Sequence, residues 1–328
     1  MKKILITGGA GFIGSHLVEF YLKKKVKVVV LDNFSTGRIS NLKDFKNNKN
    51  LNIIRTDISK DKNLSKYFKN VQYVFHLAAL ADIVPSIENP ESYFKSNVLG
   101  TFNLMQAIKN SKVKKIIYTA SSSCYGIPSK FPTKEDEKID PKYPYAFTKY
   151  FGEQIISHWS KVYGIPFISL RLFNVYGPKS RTSGTYGAVF GVFLAQKLAK
   201  KPFTVVGNGN QTRDFTFVYD IISALDKSAR SDCKNQIMNI GSNHSYSINY
   251  LVKLLKGNVV YIPKRPGEPD RTWANNKLAK KLLGWEPKVS LKEGVKILLD
   301  NIDYWKFAPV WNEKKIKIAT KKWFEYLS

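Results

Sequence analysis

Met1-Lys2-Lys3-Ile4-Leu5-Ile6-Thr7-Gly8-Gly9-Ala10-Gly11-Phe12-Ile13-Gly14 opens the chain, and its reading decides the fold. Ile4-Leu5-Ile6 reads as a short buried strand, followed by a glycine turn and an amphipathic run from Ser15 to Lys24. A second apolar strand, Val26 to Leu31, ends on Asp32. Strand, glycine turn, helix, strand, carboxylate is the order a dinucleotide site needs. Gly8 permits the tight turn. Gly11 lets backbone N–H groups approach a pyrophosphate at the positive end of the helix. Gly14 lets that helix pack close to the strand. Asp32, 18 residues after Gly14, accepts from a ribose 2′-hydroxyl and repels a 2′-phosphate, so the expected cofactor is NAD.

With 328 residues the chain can bury a large core, which suits a large α/β domain and a smaller one. No apolar run approaches the roughly 20 residues of a transmembrane helix. Met1-Lys2-Lys3 imitates the start of a signal peptide, but Gly8 cuts the apolar run too short. Two cysteines, Cys124 and Cys233, suggest no disulfide framework, and a cytoplasmic location is expected. The net charge of +28 raises nucleic-acid binding. Only 8 of the 53 basic side chains are arginine, the residue that reads phosphate and guanine bidentately. Lysines spread along the chain read instead as solvated faces, so neither a nucleic-acid partner nor an integral membrane segment is expected.

Strands are expected at 3–7, 26–31, 51–55, 72–76, 114–119 and 166–171. Helices are expected at about 12–24, 60–68, 92–110 and 146–163. This alternation predicts an α/β fold with a doubly wound parallel Rossmann sheet. After Gly177-Pro178 the strands shorten and Pro and Gly become frequent. The large lobe is therefore expected at 1–175 plus 214–245, and a smaller C-terminal α/β substrate lobe at 176–213 plus 246–328. The cleft between them is the expected site. Near the C-terminus, Tyr304, Trp305, Phe307, Trp311, Trp323, Phe324 and Tyr326 lie among lysines without one clean two-faced pattern. A docked helix is favoured there over a membrane-surface helix.

Tyr145-Ala146-Phe147-Thr148-Lys149 contains Tyr-x-x-x-Lys. Chance alone supplies roughly two or three such matches in a chain this rich in lysine; the chain has two, and the other is Tyr21 with Lys25. Position distinguishes them. Tyr145 opens a helix after Pro141 and Pro144, and Lys149 lies one turn along the same face. An ammonium there lowers the phenol toward working pH. Ser121 falls at the end of strand 114–119, where it can donate to a substrate oxygen and relay a proton.

With these residues in view, the chain resembles the extended short-chain dehydrogenase/reductases, and within them the UDP-sugar 4-epimerases. The resemblance rests on the G-x-x-G-x-x-G turn, Asp32-Asn33-Phe34-Ser35-Thr36-Gly37, Asp57-Ile58, His76-Leu77-Ala78-Ala79 and Asn97-Val98-Leu99-Gly100-Thr101. It extends to Arg171-Leu172-Phe173-Asn174-Val175-Tyr176-Gly177-Pro178, Arg213-Asp214-Phe215 and Arg265-Pro266-Gly267-Glu268. It implies Ser121, Tyr145 and Lys149 as the catalytic trio. It implies cofactor contacts from Gly8, Gly11, Phe12, Ile13, Gly14, Asp32, Asn33, Ser35, Thr36, Gly37, Asp57, Ile58, Leu77, Ala78, Ala79, Asn97, Tyr145, Lys149 and Phe173. Substrate contacts fall to Ser121, Ser123, Asn174, Arg181, Val206, Arg213, Arg265, Glu268 and Thr272, with no metal. The implied reaction oxidises the sugar transiently to a 4-ketone and reduces it on the other face. The resemblance also implies a homodimer through helices 92–110 and 146–163.

Departures separate the relatives. Related 4,6-dehydratases carry Asp-Glu directly after the catalytic serine or threonine; here Ser122 and Ser123 stand there. The cysteine of related 3,5-epimerases would fall at Ser123, and Cys124 comes one residue later, expected to be buried. His76 is expected to be a structural histidine. Thr272 falls at a gate beside the sugar's C2 substituent, and Arg181 could meet a uronic carboxylate. UDP-glucose/galactose or their N-acetyl forms are expected ahead of UDP-glucuronate. A dehydratase or reductase of the same fold, and a non-catalytic NAD-sensing or RNA-binding protein, remain the alternatives.

Overall fold

Alternate residues of the central strands serve opposite layers, and this organises the larger part of the molecule. The computed structural model describes residues 1–180 and 188–327. Strands β1 (Lys3–Thr7), β2 (Lys27–Asp32), β3 (Leu51–Arg55), β4 (Tyr73–His76), β5 (Lys115–Ser121) and β6 (Phe167–Leu172) come first. Between them lie helices α1 (Phe12–Lys23), α2 (Ile83–Glu88), α3 (Pro90–Tyr93), α4 (Gly100–Ile108) and α5 (Pro144–Tyr163). Strands β7 (Asn174–Tyr176), β8 (Phe203–Val206), β9 (Thr212–Arg213), β10 (Phe215–Phe217), β11 (Gln236–Ile240), β12 (Tyr246–Ser247) and β13 (Val259–Ile262) follow. The remaining helices are α6 (Val189–Leu198), α7 (Val218–Arg230), α8 (Ile248–Leu255), α9 (Lys277–Leu283), α10 (Leu291–Asp300), α11 (Glu313–Ala319) and α12 (Lys321–Leu327).

Seven strands form one parallel sheet in the order β11-β6-β5-β4-β1-β2-β3. Ile4 and Ile6 face a layer with Leu17 and Val18 of α1 and Ile221 and Leu225 of α7. Leu5, between them, faces Leu104 and Met105 of α4 and Ile156 of α5. The strand order reverses beside β1, so the chain diverges at its carboxyl end and leaves a crevice there. The smaller lobe has a separate core in which β8 pairs with β13 and β7 with β10, covered by α6, α8 and α10.

Three segments differ from the sequence expectation. No α-helix forms over 60–68; only a short 3₁₀ turn, Leu64–Phe68, is present. Asp57 accepts from the Ser59 N–H and Asp61 from the Asn63 N–H, and these local bonds compete with a helix. The expected helix 92–110 is divided by a π-helical turn, Phe94–Leu99. The third difference concerns the lobes: β7 and β10, which fall largely in segments expected in the large lobe, pair with each other in the smaller core. Ala279 and Leu283 of α9, with Trp285, pack into the same apolar cluster as α1 and α7. Asp220 fixes this segment: its carbonyl accepts from Trp285 Nε1 at 3.0 Å, and its carboxylate accepts from the Lys288 and Val289 N–H groups. Residues 277–289 thus cover the large lobe's sheet rather than the smaller lobe's core. Trp305 and Ile316 of the C-terminal segment sit in the smaller core and Trp323 is also buried, so these two tryptophans are docked, whereas Phe307 and Tyr326 are exposed.

Trp285 is fully buried and satisfies its indole N–H. Trp285→Ala should lower stability by about 3–5 kcal/mol in urea unfolding; a loss under about 1 kcal/mol would contradict the packing role given to 277–289.

Candidate active site

The glycine turn that follows β1 lies at the crevice. Gly8 has φ +69°, and a Cβ on it would sit 2.7 Å from the Ala78 nitrogen. A Cβ on Gly14 would collide with the Gly8 carbonyl oxygen. The backbone can therefore run this close only with glycine at both positions. Asp32 fastens the turn from the end of β2: its carboxylate accepts from the Ala10 N–H at 2.9 Å and the Phe34 N–H at 2.8 Å. Burial raises the Asp32 carboxyl above its ordinary range, and the two N–H groups oppose this. A Cβ on Gly37 would lie 3.0 Å from both Asp32 oxygens, so Gly37 keeps the carboxylate open to the cavity. Gly11, Phe12, Ile13, Asn33, Ser35, Thr36, Asp57, Ile58, Leu77, Ala78 and Ala79 complete a cavity of about 370 Å³. Its shape and donors suit a dinucleotide: bare helix N–H groups for a pyrophosphate and an acceptor for ribose hydroxyls.

Phe12, Ile13, Leu77 and Ala79 also line a second cavity of about 510 Å³, so the two halves form one cleft. Ser121, Ser123, Tyr145, Lys149 and Phe173 line this second half. Tyr145 opens α5, whose Pro144 at the first turn needs no intrahelical N–H partner. Lys149 and Glu153 follow at four-residue intervals, on the same helix face. Burial raises the Tyr145 phenol, and a hydrogen bond with Ser121 pulls the other way. Ser121 Oγ also lies 2.7 Å from Ser123 Oγ. Burial lowers the Lys149 ammonium to about 7, opposed by Glu153. Lys149 Nζ sits 4.2 Å from the centre of the Tyr118 ring. In the protein without cofactor, burial disfavours both charges and so works against the lowering of Tyr145 expected from the field of Lys149.

Farther into this half, Arg213 and Arg265 share one carboxylate. Glu268 lies 2.8 Å from each guanidinium. Burial would raise Glu268, but the two cations outweigh it and hold its carboxyl below the ordinary range. Asn174, Val206 and Thr272 line the same half. Thr272 Oγ1 donates to Asn174 Oδ1 at 2.7 Å and accepts from the Asp214 N–H at 3.0 Å.

Two of the expected contacts are not among these. Arg181 lies outside the described residues. Asn97 lines neither half of the cleft. Its Oδ1 accepts from the Leu80 N–H at 2.8 Å, and its Nδ2 donates to the Leu80 carbonyl and to Thr148 Oγ1 at 3.0 Å each. This buried amide ties the loop after β4 to α5, one residue before Lys149, so it supports the site from behind. His76 is likewise structural: its ring nitrogens bond Thr7 and Thr101 at 2.7 and 2.8 Å, and burial lowers its pKa to about 3. Cys124 is buried, which pushes its thiol up to about 12.

Several lining or supporting residues escaped the sequence reading. Glu153 pairs with Arg171 at 2.7 Å, both buried, directly behind Lys149; its four-residue spacing from Lys149 was the available signal. Tyr143 stacks parallel to Tyr145, with centroids 6.4 Å apart. Arg38, Asn41, Tyr304 and Trp311 wall the dinucleotide half, and Trp323 walls the other. No helix among the described residues is long and apolar enough to cross a membrane.

A family model described as GDP-mannose 4,6 dehydratase matches residues 5–298. This chain belongs to the extended short-chain dehydrogenase/reductase family. A putative UDP-glucose 4-epimerase of Methanocaldococcus jannaschii is 37% identical over 302 residues, covering 89% of this chain and 96% of that protein. The structure of UDP-glucose 4-epimerase with UDP-glucose from Thermotoga maritima has a TM-score of 0.86 at 34% identity, covering 93% of this chain and 99% of that one. UDP-glucuronic acid 4-epimerase from Bacillus cereus, in complex with UDP-glucuronic acid and NAD, also gives a TM-score of 0.86 at 34% identity, covering 92% and 99%.

The buried Lys149 gives this family member a testable pH signature. Its burial penalty is present in full below about pH 7 and is relieved as pH rises from 7 toward 10.5. In NMR of the ligand-free protein with isotope-labelled lysine, the Lys149 side chain should titrate near pH 7. A midpoint near the ordinary 10.5 would contradict the burial described.

Proposed function

We propose that this chain interconverts C4 epimers of a UDP-sugar, with NAD as cofactor. The observation that carries the reading is the position of Tyr145: hydrogen-bonded to Ser121, on one helix face with Lys149, in the half of the cleft that opens through Phe12, Ile13, Leu77 and Ala79 onto the dinucleotide half. Gly8, Gly11, Gly14 and the start of α1 would hold the NAD pyrophosphate, Asp32 the adenosine ribose, and Asp57 with Ile58 the adenine. NAD would supply an acceptor that takes a hydride and returns it, and a positive charge that favours the Tyr145 phenolate. Asp32 supports NAD over NADP because a buried carboxylate repels a 2′-phosphate.

Tyr145 takes the proton of the sugar 4-hydroxyl, and Ser121 bonds the same oxygen as C4 becomes a ketone. Lys149 stands behind Tyr145 as a group able to change charge near neutral pH. Arg213 and Arg265 leave Glu268 to hold the substrate diphosphate while the sugar turns over. Glu268 is then free to accept from nucleoside hydroxyls. The proton returns from Tyr145 once C4 has inverted. Elimination of the 6-hydroxyl would need an acid and a base beside Ser121, where Ser122 and Ser123 supply neither. The small Thr272 supports a 2-hydroxyl or 2-acetamido sugar; a uronic acid is the second reading, favoured by the neighbour from Bacillus cereus.

Purified protein should carry NAD and, in an NMR panel of UDP-glucose, UDP-N-acetylglucosamine and UDP-glucuronate, convert at least one to its C4 epimer without added cofactor. Tyr145→Phe should cut turnover at least a hundredfold and keep NAD. Full activity in that variant would overturn the assignment.

The reading includes a symmetric pair. Phe94, Leu99, Phe147 and Phe151 are exposed on the neighbouring 94–99 turn and α5, and Phe147 stacks on Phe151 at 5.8 Å. Such a surface fits a second copy of the chain. Light scattering should give twice the mass of 37.4 kDa, and Phe147→Glu with Phe151→Glu should give the monomer; a wild-type monomer would refute the pairing.

A further inference from the structure

The segment after α10 lines both halves of the cleft, with Tyr304 and Trp311 on the dinucleotide half and Trp323 on the other. It is anchored in the smaller lobe by the buried Trp305 and Ile316. From this anchorage Tyr304 donates to Asn41 Oδ1 at 3.1 Å, and Asn41 Nδ2 donates to the Ala10 carbonyl of the glycine turn at 2.9 Å. Farther on, α12 packs against α2 of the large lobe. The segment therefore bridges the lobes, and it lies beyond residue 298, where the family match ends.

Trp323, at the turn of this strap nearest the substrate half, is 3% exposed. Its Nε1 donates to the Pro266 carbonyl at 2.7 Å. Its ring centre lies 5.0 Å from the Arg265 guanidinium carbon, and 6.5 Å from the ring of Tyr143. The indole thus grips the Arg265-Pro266 corner by one backbone bond and one cation–π contact. Arg265 and Arg213 both lean on Glu268 in this structure. An incoming diphosphate must draw both guanidiniums from that carboxylate. A guanidinium backed by an aromatic face keeps its plane aimed at the cleft while it changes partners.

We propose that Trp323 is a positioning residue for sugar-nucleotide binding: carried on the C-terminal strap, it holds Arg265 in place to receive the substrate diphosphate. The inference rests on reading this half of the cleft as a sugar-nucleotide site. Trp323 touches neither Tyr145 nor Ser121 among the contacts described, so its effect falls on binding rather than on the proton transfer. Phenylalanine at this position keeps a smaller aromatic face toward Arg265 and loses the bond to Pro266.

The test is calorimetric titration of UDP into the full-length, NAD-containing protein, with KM and kcat measured on the sugar nucleotide that turns over. Trp323→Ala should weaken UDP binding about tenfold and raise KM more than it lowers kcat. Trp323→Phe should recover most of the affinity, and both variants should retain NAD. Three results would overturn the role: unchanged UDP affinity in Trp323→Ala, a loss confined to kcat, or a Phe variant as weak as the Ala variant. Wild-type protein that binds no UDP overturns the sugar-nucleotide reading itself. Wild-type binding that Trp323→Ala leaves intact overturns only the positioning role.

Discussion

A buried ion pair stands behind the candidate catalytic face, and the geometry of the site depends on it. Glu153 and Arg171 join α5 to β6 at 2.7 Å, and Ser169 adds a second bond to the same carboxylate. Arg171 also donates to Tyr125, whose hydroxyl reaches Asn239 on β11. Removing one partner of such a pair leaves an unpaired buried charge, typically a loss of about 3–5 kcal/mol. The pair therefore holds α5 in one position against the sheet. Glu153 is also the carboxylate whose field keeps Lys149 from falling further below its ordinary range. One interaction thus sets both where Tyr145 and Lys149 stand and how readily Lys149 changes charge.

The same logic recurs across the cleft. Asp214 is buried, and accepts from Ser242 and the Ala274 N–H, drawing the segments at 214, 242 and 274 together. Its neighbour Arg213 turns the opposite way, into the cleft, and meets Glu268. Adjacent residues in an extended stretch face opposite sides, so one carboxylate fastens the backbone while the next side chain serves the cavity. Asp32 combines the two functions: it fixes the glycine turn through two N–H groups and still presents its oxygens to the cavity.

Much of this was legible in the sequence because it depends on local pattern. The glycine turn, Asp32 and the strand–helix alternation follow from short-range spacing, and six of the seven strands of the parallel sheet were expected from it; β11, which joins the sheet edge beside β6, was not. The position of Tyr145 at a helix start, rather than its Tyr-x-x-x-Lys pattern, distinguished it from Tyr21. What escaped depends on long-range partners. Glu153 meets an arginine 18 positions away, and Tyr304 meets an asparagine 263 positions away. Asn97 carries a family motif, yet its amide is taken by Leu80 and Thr148, which only the fold brings beside it. The segment 60–68 misled because aspartate turns outcompeted a helical pattern. The charge state of Tyr145 depends on burial, which spacing alone does not set.

The central claim is that one phenol moves the proton of the sugar's 4-hydroxyl. A crystal structure of the protein with NAD and the epimerised UDP-sugar measures it most directly. The account predicts the Tyr145 and Ser121 hydroxyls both within hydrogen-bond distance, about 3 Å, of the sugar 4-oxygen, with the diphosphate on Arg213 and Arg265. A closed complex in which the Tyr145 hydroxyl lies beyond reach of that oxygen, with another side chain bonded in its place, would contradict it.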